Sequence, residues 1–176
     1  MIVFNKDIEQ EGIVNIAGIM AIAARTAPKS KGIDNISTAL VTGKDIDTIR
    51  GQMKKYGEKK DIPFFVRDYN CTENISAILI VGVKKNPLGL PDCGYCGFSN
   101  CNECINNGAN CFFNIVDLGI AVSSAVNTAS SMKVDTRIMY SIGRAARDLN
   151  ILNKEYNVVL GIPISVTSKS PFFDRT

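Results

Sequence analysis

The chain has 176 residues, 45% of them hydrophobic and 21% charged, and this composition argues against a disordered, collagenous or coiled-coil chain. Twenty Lys and Arg residues against 17 Asp and Glu residues give a net charge of +3, and the basic residues are too scattered to indicate a nucleic-acid-binding surface. The sequence contains no His and no Trp but six Cys. The lack of His excludes imidazole acid–base catalysis and every metal site with a His ligand.

The spacing of apolar residues predicts the secondary structure along the chain. In order, it predicts a helix at 6–25, a strand at 36–42, a helix at 45–56, a strand at 76–83, helices at 112–131 and 136–149, and a strand at 156–166. Gly57 is expected just past the end of the second helix, where glycine favours termination. The strand at 76–83 is a continuous β-favouring run, which is typical of burial on both faces. Together the elements predict an α+β protein of about three strands and four helices, in a single domain over residues 1–176.

The predicted location is the cytoplasm. The N-terminal residues lack the basic and apolar regions of a secretory signal. No apolar run approaches the roughly 18 residues of a membrane helix, so no membrane association is expected. Cytoplasmic thiols stay reduced, and clustered Cys there indicate metal or redox chemistry rather than disulfide bonds.

Five of the six Cys lie in a segment at 88–112 that is predicted to be an insertion within the domain. They are Cys93, Cys96, Cys101, Cys104 and Cys111, in the spacing C-x2-C-x4-C-x2-C-x6-C. Gly94 and Gly97 each follow a Cys, and glycine permits the positive φ that turns backbone N–H groups toward sulfur. Four thiolates in such a loop are typical of a [4Fe–4S] cluster, so the segment is predicted to be an iron–sulfur segment.

Two other interpretations of the Cys segment stay open. A structural zinc site with four Cys ligands needs the same donors, but zinc ribbons usually separate their Cys pairs by more than the four residues between Cys96 and Cys101. Structural Cys, free or in disulfide bonds, are disfavoured by a reducing compartment. Cys96, Cys101 and Cys104 also match the start of the plant-type ferredoxin pattern, which needs a distant fourth Cys, and none follows Cys111. Cys71 lies outside the segment and is predicted to be a small packing side chain.

The segment resembles two groups of known proteins. Its Cys-Gly-x-Cys-Gly-x-x-x-Cys element is similar to that of small [4Fe–4S] domains in corrinoid iron–sulfur proteins and in the B subunit of Rnf-type electron-transport complexes. Residues 93–175 resemble the prokaryotic family of ferredoxin-domain-containing proteins of unknown function. The matching pieces are the Cys segment, Asn110–Cys111, Val116–Ala121, Asp135–Tyr140, Gly161–Ser165 and Phe173–Arg175, and Ala24–Lys29 fits the N-terminal region. This resemblance implies the ligands Cys93, Cys96, Cys101 and Cys111, with Cys104 as a spare or alternative ligand.

Two stretches also resemble nitroreductase-like flavoproteins. They are Ala-Ala-Arg-Thr-Ala-Pro-Lys-Ser at 23–30 and Asp-Leu-Gly-Ile-Ala-Val at 117–122. The resemblance implies a nitroreductase-like three-layer fold, with a mixed sheet and flanking helices, an intertwined homodimer, and FMN held by Arg25, Lys29 and Ser30. These side chains could bind a phosphate through charge-assisted hydrogen bonds. The family's Arg-x-Ser-x-Arg signature is absent, and a solvated basic helix end is the alternative interpretation.

Two hypotheses on function follow. In the first, the chain is an iron–sulfur redox protein that transfers single electrons and exchanges them with a redox partner protein. If flavin binds, electron transfer is coupled to FMN-dependent reduction of an unknown substrate, and the chain is then an oxidoreductase. In the second, it is a non-enzymatic metal-binding or interaction module with a structural four-cysteine zinc site. No carboxylate pair is marked by spacing and His is absent, so any catalysis is expected to come from a cofactor.

Overall fold

The computed structural model describes residues 2–173, and within them the chain forms six α-helices, one short 3-10 turn and four strands. In chain order these are α1 (Asn5–Thr26), the 3-10 turn (Ser30–Gly32), β1 (Ile36–Val41), α2 (Lys44–Lys60), α3 (Pro63–Cys71), β2 (Ala77–Lys84), α4 (Cys101–Asn106), α5 (Phe112–Ser131), β3 (Asp135–Thr136), α6 (Tyr140–Asp148) and β4 (Tyr156–Ser165). The five long elements predicted up to residue 131 all form, and the helix at 112–131 has the predicted bounds.

The four strands form one sheet in the order β1-β2-β4-β3. Every pairing among the described residues is antiparallel: Ile36 faces Val83, Ala77 faces Ile164, and Asp135 faces Ser165. The α+β class is therefore confirmed, but the expected mixed sheet is wrong for residues 2–173. The physical reason is the path of the chain: between two neighbouring strands it leaves and re-enters the sheet at the same end. The second strand therefore runs in the opposite direction to the first.

The sheet lies between two helical layers. Alternate side chains of β2 point to opposite faces, so Leu79 and Val81 pack with α1 and α5, whereas Ile78 and Ile80 pack with α2, α3 and α6. Seven of its eight residues are buried, which confirms the prediction of a strand covered on both faces. This three-layer arrangement places the Cys segment between the end of β2 and the start of α5.

Two local expectations differ from the structure. Gly57 lies inside α2 and not past its end. A Cβ at this position would come within 2.9 Å of the Phe65 Cβ, so the glycine lets α3 approach α2 closely. The helix ends instead at Asp61, which has left-handed backbone angles. The helix expected at 136–149 begins at Tyr140, because β3 and a bridge between Met139 and Gly161 hold the preceding residues in the sheet. The short elements α3, α4 and β3 were not predicted.

The sequence predicts no segment apolar and long enough to cross a membrane, but helix α5 has the length and hydropathy of such a segment. With 20 residues and a mean hydropathy of 1.3, it satisfies the length and composition of a membrane-crossing helix. Apolar core helices of globular proteins satisfy the same criteria. Leu118, Ala121 and Ala125 on one face of α5 are buried in the core between the sheet and α1, and its opposite face is exposed.

Candidate metal centre

All five Cys of the segment line one cleft that opens to solvent and has a cavity volume of about 20 Å³. The rest of the lining is apolar or neutral: Pro87, Leu88, Leu90, Gly94, Phe98, Asn100, Phe112 and Phe113. All six thiols of the chain are free, and Cys71 lies outside the cleft. The structure therefore brings the predicted ligands Cys93, Cys96, Cys101 and Cys111 together and adds Cys104 to them.

The loop that carries the first two thiols has the predicted left-handed glycines. Gly94 has a φ of 63° and Gly97 a φ of 84°, and Gly97 N–H donates to the Gly94 carbonyl at 2.9 Å. This turn encloses Cys96. Asp92, just before the first thiol, has a φ of 50°, a conformation that Asp adopts at lower cost than most residues. The backbone thus reverses direction within a few residues and directs both thiols to one cleft.

The next two thiols lie on α4, whose first turn is closed by reciprocal side-chain hydrogen bonds. The Asn100 side chain accepts a hydrogen bond from Glu103 N–H at 3.0 Å, and the Glu103 carboxylate accepts one from Ser99 N–H at 3.0 Å. This arrangement resembles a capping box, which fixes the start of a helix. Cys101 and Cys104, three residues apart on the helix, both face the cleft.

Cys104 is the most buried of the five thiols, with 1% of its surface exposed. Burial raises the pKa of Cys104 to about 11, with further contributions from a hydrogen bond with Cys96 and from the charges of Cys96, Cys111 and Cys101. A cation bound beside the Cys104 sulfur would oppose this rise in pKa and favour the thiolate form of Cys104.

Three aromatic rings form one wall of the cleft. The rings of Tyr95 and Phe113 stack with centroids 5.6 Å apart, and Phe112 makes edge contacts with both at 5.5 Å. Phe112 and Phe113 line the cleft itself, whereas Tyr95 is 67% exposed and covers them from outside. The rings therefore separate the thiols from solvent on this side.

A buried amide network holds the cleft against the sheet. The Asn114 side chain donates to the carbonyls of Lys84 and Asn86, at 3.2 and 2.8 Å, and accepts from the side chain of Asn35 at 3.1 Å. These contacts join the end of β2, the loop that leads into the cleft, and the first turn of α5 after Cys111. The network joins distant segments and does not follow from the sequence pattern, although an Asn in the apolar run at 112–131 is a signal for a buried polar contact.

The three residues predicted to bind FMN lie close together at the end of α1, but each has a protein partner. Arg25 forms an ion pair with Asp34. The Lys29 ammonium donates to three carbonyls at 2.6–3.1 Å, among them that of Arg25, and so satisfies the C-terminal end of α1. The Ser30 N–H and hydroxyl both donate to the carboxylate of buried Asp117, at 2.8–3.1 Å.

These contacts do not fit a phosphate-binding site. The carboxylate of Asp117 occupies the donors of Ser30, and its negative charge would repel a phosphate there. The contacts of Lys29 match the alternative interpretation of a basic residue at a helix end. Of the terminal piece that supported the family resemblance, Asp174 and Arg175 lie outside the described residues.

Comparison with known proteins assigns a family to this architecture. Residues 107–175 match the model of the family described as "Uncharacterized protein containing a ferredoxin domain (DUF2148)". An uncharacterized protein of Archaeoglobus fulgidus is 40% identical over 183 residues, which cover 99% of this chain and 98% of that protein. The chain belongs to this family of uncharacterized proteins containing a ferredoxin domain.

Solved structures with the same fold are nitroreductases and related flavoproteins. A nitroreductase with bound FMN from Desulfitobacterium hafniense is 14% identical with a TM-score of 0.59, covering 89% of this chain and 80% of that one. An FMN-dependent nitroreductase from Clostridium difficile is 16% identical with a TM-score of 0.56, covering 88% and 76%. At such identities the likeness defines the fold alone, and the chain has a nitroreductase-like fold with a Cys-rich segment around residues 93–111.

Proposed function

We propose that this chain is an iron–sulfur redox protein whose Cys cleft holds a [4Fe–4S] cluster and serves single-electron transfer. The observation that carries the proposal is the convergence of five free thiols on one cleft with apolar walls. The ferredoxin-domain description of the family supports it. The expected ligands are Cys93, Cys96, Cys101 and Cys111.

The donors fit an iron–sulfur cluster better than a single metal ion. Thiolates select iron–sulfur clusters, zinc and copper(I). A zinc ion requires four ligands at about 2.0–2.3 Å from one centre. Zinc ribbons usually separate their Cys pairs by more than the four residues between Cys96 and Cys101, so the structural zinc site is the weaker candidate.

The chain's own residues would shape the chemistry of the site. When bound, the cluster supplies one-electron chemistry, and its potential depends on hydrogen bonds to sulfur and on solvent exposure. The left-handed turn at Gly94 and Gly97 directs Cys93 and Cys96 to the cleft, and the rings of Phe112 and Phe113 line one side of it. We place the contact with a redox partner protein at the exposed ring of Tyr95, which packs against Phe113 beside the cleft.

FMN-dependent reduction of a substrate is the second candidate, and the fold of the similar solved structures favours it. The contacts of Arg25, Lys29 and Ser30 oppose a phosphate at those residues. No step is therefore assigned to flavin in this chain. Release of a yellow flavin into the supernatant after acid precipitation would establish that FMN binds elsewhere in the fold.

We also propose that two copies of the chain associate through α1 and α5, in the reducing cytoplasm that free thiols require. Both helices lie on one face of the sheet and contact each other, yet each leaves large apolar side chains exposed. These exposed side chains are Ile8, Ile19 and Ile22 on α1 and Ile115, Val116 and Ile120 on α5. Large exposed apolar side chains on two adjacent helices are typical of an interface. A second copy of the chain would present the same side chains in a symmetric dimer.

The test of the cluster is metal and sulfide analysis of protein purified without oxygen. The proposal predicts a brown protein with a broad visible absorption band and about four iron atoms and four sulfides per chain. One zinc ion per chain in a colourless protein would contradict it and support the metal-binding module instead.

A further inference from the structure

Two open cavities on the surface are lined mainly by basic side chains. Three Lys line the first, of about 330 Å³, two Arg line the second, of about 170 Å³, and Asn157 lines both, so the cavities adjoin. We call these five residues the basic surface: Lys84, Lys85, Arg144, Arg147 and Lys154. Glu155 is the one acidic residue in the two linings, so the linings carry a net charge of +4, against +3 for the whole chain. The fold therefore collects on one surface positive charges that are scattered along the sequence.

Neighbouring carboxylates neutralise only part of this charge. Lys84 forms an ion pair with Glu155 at 2.8 Å, and Arg144 forms one with Asp148 at 3.1 Å. The other three members are exposed and form no ion pair within residues 2–173: Lys85, Arg147 and Lys154. Unpaired cations grouped around open cavities create a positive potential that attracts an anionic partner.

The basic surface borders the C-terminal part of the Cys segment. The Lys85 ammonium lies 3.2 Å from the position that a Cβ at Gly108 would occupy. The side chain of Asn157, which the two cavities share, donates a hydrogen bond to the side chain of Asn110, the residue before Cys111. A protein bound on the basic surface would therefore also contact the segment that carries the thiols.

We propose that the basic surface binds the redox partner protein, and that this partner is a one-electron carrier with an acidic surface. This inference rests on the proposed iron–sulfur function. Complementary charge raises the rate of encounter and orients the two proteins. One electron passes between the carrier and the cluster, so one is oxidised and the other reduced by one electron, and no covalent bond forms or breaks. A nucleic acid is also anionic, but the border with the Cys segment favours the carrier.

The first test measures by stopped flow how fast the reduced protein gives an electron to the anion hexacyanoferrate(III) and to the cation hexaammineruthenium(III). Lys85→Glu should slow the reaction with the anion several-fold and accelerate that with the cation, and Lys154→Glu should repeat the effect. Lys44→Glu is the matched control, because Lys44 is also exposed but follows β1 at the opposite end of the sheet, where Val41 faces Ile78. Equal rate changes in Lys85→Glu and Lys44→Glu would overturn the proposal, since only the net charge of the chain would then matter.

The second test needs no cluster and measures the binding of a labelled Glu-rich peptide by fluorescence anisotropy, beside a labelled single-stranded DNA oligonucleotide. The peptide should bind the wild type and Lys44→Glu equally, should bind Lys85→Glu several-fold more weakly, and should dissociate as salt is added. Equal affinity for all three proteins would overturn the proposal, and binding of the oligonucleotide without the peptide would assign the surface to nucleic acid instead. A wild-type protein without a cluster would contradict the proposed function itself, whichever result the peptide gives.

Discussion

The side-chain amide of Asn114 donates a hydrogen bond to the backbone carbonyl of Asn86 at 2.8 Å and thereby ties the first turn of α5 to the loop that forms the cleft wall. Asn114 is 1% exposed and stands three residues after Cys111. The Cys cleft therefore rests on a buried network of amide hydrogen bonds inside an otherwise apolar layer. Satisfied buried polar contacts of this kind specify one arrangement of the elements they join.

We expect Asn114→Ala to destabilise the protein by about 2–3 kcal/mol, because two carbonyls and the Asn35 side chain lose a buried partner. Urea denaturation of the metal-free chain measures this loss. Asn127→Ala is the matched control, since Asn127 is exposed on the same helix and should change the free energy of unfolding by less than about 0.5 kcal/mol. Equal effects of the two substitutions would show that the network does not hold the cleft.

Phe113→Ala should expose the thiols to solvent and accelerate loss of the visible absorption in air several-fold. The reason is that Phe113 lines the cleft and supports the ring of Tyr95. Phe64→Ala is the control: it removes a ring of the same size from α3, in the opposite helical layer, and should leave the rate of bleaching unchanged. Bleaching at the same rate in both variants would mean that the aromatic wall does not protect the site.

Ile120→Asp should convert a dimer into monomers, because a charge placed in the proposed apolar interface has no partner there. Size-exclusion chromatography with light scattering should give twice the chain mass for the wild type and the chain mass for the variant. Ile151→Asp is the control, since Ile151 is similarly exposed but lies after α6, away from α1 and α5. A wild-type protein that is already monomeric would contradict the proposed interface.

Cys71 should react slowly with iodoacetamide at neutral pH. Burial raises the pKa of this thiol, and the nearby Asp68 carboxylate raises it further. Since the thiolate is the nucleophile, a raised pKa means less thiolate at any pH below it. Mass spectrometry should show that the pH at half-maximal alkylation is higher for Cys71 in the folded protein than in urea. The same midpoint in both states would contradict the raised pKa.

The sequence predicted those features that depend on neighbours along the chain. The continuous apolar character of 112–131 defined α5, and the Gly positions after Cys93 and Cys96 predicted left-handed turns that the structure contains. The spacing of the thiols was enough to predict that they would meet. Each of these features is encoded within one segment of about 20 residues.

Features that depend on contacts between distant segments were not predicted. Gly57 resembled a helix end, but its role is to admit Phe65 of the next helix. Arg25 and Ser30 resembled phosphate ligands because the sequence displays donors but not their partners Asp34 and Asp117. The partners of Asn114 lie 28 to 79 positions away, so no local pattern could reveal them.

Mössbauer spectroscopy of anaerobically purified protein, enriched in the Mössbauer-active iron isotope, tests the central claim most directly, because it identifies the type of iron site without requiring a substrate. The proposed function predicts that nearly all protein-bound iron gives the signal of a [4Fe–4S] cluster, at about four iron atoms per chain. A protein that contains one zinc ion per chain and no cluster iron would contradict it.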